Sequence, residues 1–181
     1  MKHQFYVITG GPGVGKTTLL NELAKEGYHT VSEHARAIIK QEIDNEQDGL
    51  PWGNQERYTK LMLDAAVLSY HAVQANENVC FFDRGILDAI CYADMVGLGI
   101  SKEMDQLAKR LRYNNKVFIL PPWEEIYHTD QERQQTWKEA VYTFSQMKTT
   151  YLNYGYDLVV VPKDTVKNRM NFVIKEITIV P

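Results

Sequence analysis

Short apolar runs alternate along this chain with longer segments in which apolar residues recur every three or four positions. Runs near 4–9, 28–32, 78–82, 116–120 and 157–161 read as strands, each followed by a turn and then a helical pattern. That alternation is the signature of a parallel sheet covered by helices on both faces, so the fold class is α/β. Neither an internal repeat nor a low-complexity linker interrupts the pattern. At 181 residues the chain fits one domain, expected to run over 1–181 with a single substantial core.

The helical segments carry their own predictions. From about Asn54 to Asn76, Tyr58, Leu61, Met62, Ala65, Leu68 and Ala72 fall at helical spacing and read as a core stripe. After the second strand, Ala35, Ile38, Ile39 and Ile43 form the apolar face of a shorter helix. Between these two helices, residues 45–53 are polar with glycine and proline and read as a surface loop. Trp52 within it is either a cap over the core or an aromatic wall for a substrate. Late in the chain, Trp137, Val141, Phe144, Met147 and Tyr151 predict a buried helix stripe, with Thr129 or Asp130 as its cap and Gly155 as its end.

Bulk properties narrow the classes. Twenty Lys and Arg against 23 Asp and Glu give a net charge of −3 with no basic run, so no nucleic-acid partner is expected. No apolar stretch approaches membrane-spanning length, which predicts no membrane association and a cytoplasmic protein. The two cysteines, Cys80 and Cys91, are too few for a disulfide framework and read as buried reduced thiols. Five scattered histidines lack metal-ligand spacing.

One motif carries specific chemistry. Gly10, Gly11, Pro12, Gly13, Val14, Gly15, Lys16, Thr17 and Thr18 spell the phosphate-loop pattern G-x-x-x-x-G-K-[ST] directly after the apolar run Phe5–Ile8. Glycines let backbone N–H groups curl around phosphate oxygens, where side chains would block the approach. Lys16 then reaches the β- and γ-phosphates, and the Thr17 hydroxyl can ligate Mg²⁺. Thr18 and the leucines after it begin a helix whose N-terminal dipole favours the negative charge. The cofactors expected are ATP and Mg²⁺.

A phosphate loop alone does not name a reaction, so the ends of the other strands matter. Val79–Phe82 terminates in Asp83, a candidate second Mg²⁺ ligand. Motor ATPases usually place a glutamate next, whereas here Arg84 and Gly85 follow. An aspartate–arginine pair at this point resembles nucleotide and nucleoside kinases, whose arginine holds an acceptor's phosphate or balances charge during transfer. The resemblance makes Arg84 a candidate acceptor clamp, with Asp88 one turn on, either orienting the guanidinium or serving as a helix cap or surface residue. The second strand ends near Glu33 and Arg36, at the edge that faces ligands in such sheets. Glu33 either takes a proton from an acceptor hydroxyl or simply places a negative charge in a helix first turn; Arg36 is a candidate substrate contact. Arg133, one turn before Trp137, is a candidate lid cation for the transferring phosphoryl group, or else a surface ion pair with Glu132 or Glu139. Residues 162–165, after the last strand, have two readings: a helix start capped by Asp164 or Thr165, or, by resemblance to related kinases, the place where adenine is held.

The ordered set GGPGVGKTT (10–18), SEHAR (32–36), FFDRGILDAICY (81–92), RYNNKVFILPPWEEIYHTDQER (112–133) and NYGYDLVVVPKDTVKNR (153–169) resembles the small predicted AAA-type ATPases related to nicotinamide-riboside-kinase-like P-loop proteins. The resemblance covers nearly the whole chain. It implies a three-layer P-loop kinase fold with strand order 2-3-1-4-5, a short helical lid, and ATP with Mg²⁺. Carried over, it assigns phosphate to Gly10–Thr18, Mg²⁺ to Asp83 and the lid contact to Arg133. The lid departs from the paired arginines of nucleotide kinases, since Trp137 and Lys138 follow Arg133.

The expected function is a small-molecule kinase acting on a nucleoside- or nucleotide-like acceptor, with Lys16, Asp83, Arg133 and Glu33 in catalytic roles and Arg36, Arg84 and Trp52 toward the substrate. Two alternatives stand beside it, an ATP-hydrolysing regulatory ATPase and a nucleotide-binding module without turnover. Guanine specificity is not expected, because Asn115-Lys116 precedes a strand and lacks the aspartate of an N-K-x-D pattern.

Overall fold

A computed structural model describes residues 4–73, 78–126 and 136–178. Five parallel strands, β1 (Phe5–Thr9), β2 (His29–Val31), β3 (Cys80–Asp83), β4 (Lys116–Ile119) and β5 (Asp157–Val160), pair in the order β2-β3-β1-β4-β5. The order and the strand positions agree with the expectation. Among the described residues, seven α-helices connect and flank them: α1 (Lys16–Lys25), α2 (Ala35–Asp44), α3 (Gln55–Ala72), α4 (Ile86–Met95), α5 (Lys102–Arg110), α6 (Trp137–Asn153) and α7 (Val166–Thr178).

The central strand explains the layering. Successive side chains on β1 point to opposite faces, so Phe5 and Val7 join Phe82, Ile90, Ala108 and Tyr151 on one side. Tyr6 and Ile8 join Leu19, Leu23, Phe81, Phe118 and Val173 on the other. Both faces of β1 and β3 are therefore buried, which is why their sequences read as unbroken apolar runs. Each hydrophobic layer seals one face, and every parallel strand delivers its carboxyl end to the same edge of the sheet. Both cysteines are buried and unbridged.

Three expectations about helix faces need correction. In α3, Tyr58 is buried as expected, but the residues packed against the core cluster are Leu63, Ala66, Val67 and Tyr70, while Leu68 is 72% exposed. Apolar residues occupy seven of the eight positions 61–68, all but Asp64, so helical spacing fits more than one face and does not single out the packed one. In α6, Val141 is 46% exposed, and Ala140 and Thr143 take the inner positions with Met147 and Tyr151. A small residue and a hydroxyl suit that face because it adjoins the phosphate loop, where the Ala140 carbonyl lies 4.0 Å from a Cβ built on Gly11. In α2, Ile43 is likewise exposed.

The start of α6 also differs. Thr136 caps it, accepting from the Glu139 N–H while the Glu139 carboxylate takes the Thr136 N–H, a reciprocal box. Thr129 and Asp130, expected as caps, lie outside the described residues, as does the expected lid arginine, Arg133. The α7 start fits the reading of 164–165: the Asn168 N–H donates to Thr165 Oγ1 and the Thr165 N–H to Asp164 Oδ1.

Candidate active site

The loop between β1 and α1 owes its shape to glycine. Gly10, Gly13 and Gly15 have φ of 141°, 76° and 84°, backbone states that L side chains rarely adopt. Val14 between the last two is buried and anchors the loop in the core. Lys16 begins α1 and folds back over the loop, its Nζ donating to the carbonyls of Gly10 (3.0 Å) and Gly11 (2.9 Å). Burial of this ammonium, with Arg84 nearby, pushes its pKa down to about 8.

Beside the loop, the ends of β2 and β3 form an ionic cluster. Arg84 donates through Nε to Glu33 at 2.6 Å and through Nη1 to Asp88 at 3.3 Å. Its own backbone sits at φ 69°, a left-handed state that is costly for a residue with a Cβ. Burial alone would raise the Glu33 pKa, yet Arg84 and Lys16 outweigh it and hold the carboxyl at about 2. The same carboxylates raise Arg84, against the effect of burial.

Asp88 proves to be the hub behind this pair. Its Oδ1 accepts from Thr9 (2.5 Å) and Arg84, and its Oδ2 from the Gly85 N–H (2.8 Å) and Tyr151 (2.6 Å). Both readings of Asp88 therefore hold: it orients the guanidinium and it caps α4. No sequence motif marks the bonds of Thr9 and of the Tyr151 hydroxyl to Asp88, although the Tyr151 ring falls on the expected buried stripe of α6.

A cavity of about 930 Å³ runs along this edge of the sheet. One end is walled by the phosphate loop, Trp123, Asp164, Thr165 and Arg169. The other, past Glu33 and Arg84, is walled by Pro51, Trp52, Tyr58, Met62, Tyr92 and Met95. Trp52 is 53% exposed and borders the cavity, which makes it a wall rather than a core cap. Arg36 and Thr17 also border it. Asp83 does not; it borders a smaller adjoining cavity that shares Glu33, Arg84 and Asp88. Asp83 is buried, with Oδ1 unpartnered by any described residue, and burial pushes its carboxyl up to about 6. An orphaned carboxylate oxygen beside a phosphate loop fits a cation.

The loop bearing Trp52 is fastened from below. Glu42 on α2 accepts from the Gly49 N–H (2.9 Å) and from Arg57 Nε (2.8 Å), while Tyr92 Oη donates to the Pro51 carbonyl.

Arg169, to which no sequence motif assigns a role, lines the cavity wall at the phosphate-loop end. It is 4% exposed, and its Nη2 donates to the Val14 carbonyl at 3.0 Å. A signal existed: Val166, Arg169, Met170 and Val173 share one helical stripe, so a charge interrupts an apolar face.

A family model described as an AAA domain matches residues 5–169. No curated protein matches the chain in sequence. Among solved structures, the chain is similar to a deoxyadenosine kinase from M. mycoides, with TM-score 0.67 and 16% identity over 97% of this chain and all of that one. It is similar to a thymidylate kinase from Ehrlichia chaffeensis, with TM-score 0.59 and 18% identity over 99% of this chain and 100% of the other. It also resembles a NadR protein in complex with NR, at TM-score 0.62 and 21% identity; there it covers 97% of its own length and spans about half (51%) of the NadR chain. The shared element is the P-loop kinase-like fold.

Proposed function

This chain belongs to the AAA-domain family with a kinase-like P-loop fold, and we propose that it transfers the γ-phosphoryl group of ATP to the hydroxyl of a small nucleoside- or nucleotide-like acceptor in the cytoplasm. The observation that carries this reading is the open compartment beyond Glu33 and Arg84, walled by Pro51, Trp52, Tyr58, Met62, Tyr92 and Met95. Hydrolysis needs room for one water. A wall of six residues, three of them aromatic, suits an organic acceptor held by shape, with few polar groups to orient it.

Roles follow from position. Gly10–Thr18 would hold the triphosphate, with Lys16 leaving the Gly10 and Gly11 carbonyls for the β- and γ-phosphates. Mg²⁺, held by Thr17 and Asp83, would neutralise charge on the phosphate oxygens. The acceptor oxygen forms its bond to the γ-phosphorus as the bond to the β–γ bridging oxygen breaks, ADP leaves, and the hydroxyl proton passes to Glu33. A carboxylate held at about 2 by Arg84 is a weak base. Glu33 therefore orients the hydroxyl and takes its proton late, which suits a loose phosphoryl transition state in which the nucleophile needs little activation. Arg84, already bonded to Glu33 and Asp88, orients Glu33 and lends positive charge at the crevice. Arg36 and Trp52 would contact the acceptor, and Arg133 would reach the phosphates from the lid.

The test is incubation with γ-labelled ATP and Mg²⁺ across a panel of nucleosides, ribosides and nucleotides. Label transferred to an acceptor supports the reading; release of free phosphate alone, unchanged by any acceptor, overturns it.

A further inference from the structure

Arg169 is a buried cation that the proposed roles leave unused. Its guanidinium lies under the phosphate loop: Nη2 donates to the Val14 carbonyl, and Nη1 stands 2.7 Å from where a Cβ on Gly15 would be. Its Cζ is 6.0 Å from the centre of the Trp123 ring, within cation–π range. No carboxylate among the described residues pairs with it, and its Nε is buried without a hydrogen-bond partner. A charge so enclosed is costly unless something supplies the opposite sign. It borders the same cavity as Lys16 and Thr17.

The two cations divide the loop between them. Lys16 holds the carbonyls of Gly10 and Gly11, and Arg169 holds that of Val14. A peptide whose carbonyl is drawn one way presents its N–H the other way. Fixing the Val14 carbonyl therefore fixes the direction of the Gly15 N–H, one of the donors at the start of α1 on which a phosphate would sit. Lys16 must leave its carbonyls to reach phosphate, whereas Arg169, anchored on α7, stays in place. Gly15 is thus needed twice, for its φ of 84° and for the space the guanidinium occupies.

We propose that Arg169 is a positioning residue for triphosphate binding, aiming the Val14–Gly15 peptide of the phosphate loop and lending its buried charge to the same anion. This rests on the reading that the loop takes a triphosphate. It is independent of whether the reaction is transfer or hydrolysis.

The experiment measures affinity for ATP and for inorganic tripolyphosphate, by calorimetry, in the wild type, Arg169→Met, Arg169→Gln and Arg169→Lys, alongside thermal unfolding without ligand. Loss of a hydrogen bond to a charged group predicts about a 10- to 100-fold weakening of both ligands by the same factor in Arg169→Met, with Arg169→Lys in between. A role in packing alone would lower the unfolding midpoint and leave tripolyphosphate affinity unchanged, which overturns the proposal. So does a loss confined to ATP, which would place the arginine at the base beside Trp123. Should the Met variant fail to fold, Arg169→Gln decides by the same comparison: weakened tripolyphosphate supports, unchanged affinity overturns. A wild type that binds neither probe overturns the triphosphate reading and this inference together, whereas equal binding by wild type and variant overturns this inference alone.

Discussion

Arg84 Nε meets Glu33 Oε1 at 2.6 Å, joining the carboxyl ends of β3 and β2 across the mouth of the cavity. Both side chains are about four-fifths buried, at 20% and 19% exposure, so the pair is largely shielded from the screening that weakens surface ion pairs. Breaking it from one side leaves a charge stranded.

Stability should therefore depend on pH through Glu33. Its folded pKa of about 2 lies below the ordinary glutamate value of 4.5, so the folded state binds fewer protons than the unfolded one between those values. The stabilisation is complete above pH 4.5 and is lost as pH falls toward 2. Denaturant unfolding of wild type and Glu33→Gln should differ by a constant amount above pH 5, with the gap closing toward pH 2. A gap that already closes between pH 6 and 7 would contradict the pairing.

Tyr151→Phe removes one of four donors to the Asp88 carboxylate and leaves its hydrophobic ring in place. A lost hydrogen bond to a buried charge predicts destabilisation of about 1.5–3 kcal/mol. Urea unfolding measures it, and ATP affinity should be retained because the phenol does not touch the phosphate loop.

Lys16→Met should weaken ATP binding by at least roughly 10- to 100-fold, the worth of a charge-assisted contact. Fluorescence or calorimetric titration with ATP reads this directly. Because a neutral side chain relieves the burial cost that holds the lysine near 8, unfolding of the variant without nucleotide should show no loss of stability.

Trp52→Ala should act at the opposite end of the cavity. Removing an aromatic stacking surface predicts about a 10-fold rise in the acceptor KM, with the ATP KM unchanged and Trp52→Phe recovering most of the loss. Equal effects on both substrates would show that the indole supports the fold rather than the acceptor.

Gly15→Ala tests the tight approach of α7. A methyl group there meets Arg169 Nη1 at 2.7 Å, and alanine must also adopt the loop's φ of 84°, which costs about 1–2 kcal/mol from the backbone alone. Thermal unfolding measures the total, and a neutral result would exclude the close packing of guanidinium on loop.

Much of this arrangement is legible in the sequence because it lies in local patterns. The strands appear as apolar runs since both sheet faces are covered, and the phosphate loop appears because its glycines obey a local steric rule. Glu33, Arg84 and Asp88 could be chosen because strand ends converge on one edge, but their mutual bonds depend on β2 and β3 pairing in register, which no local spacing records. The packed face of α3 is ambiguous in the sequence because apolar residues occupy several of its sides. Arg169 shows in the sequence only as a charge within the apolar stripe of α7, and it is the packing of α7 against α1 that carries it beneath Val14. Tyr151 and Thr9 meet Asp88 across separations of 63 and 79 residues, distances at which periodicity carries no information.

The fastening of the loop ahead of α3 has a consequence for how this scaffold diversifies. Glu42 and Arg57 secure Gly49, and Tyr92 and Gln55 hold the Pro51 carbonyl; none of these described bonds runs through the indole of Trp52. The frame and the surface it displays are separable. A change of residue at 52 can thus reshape the far wall of the cavity while the loop, the sheet edge and the phosphate site keep their form, so that selectivity drifts by single substitutions on an unchanged chassis.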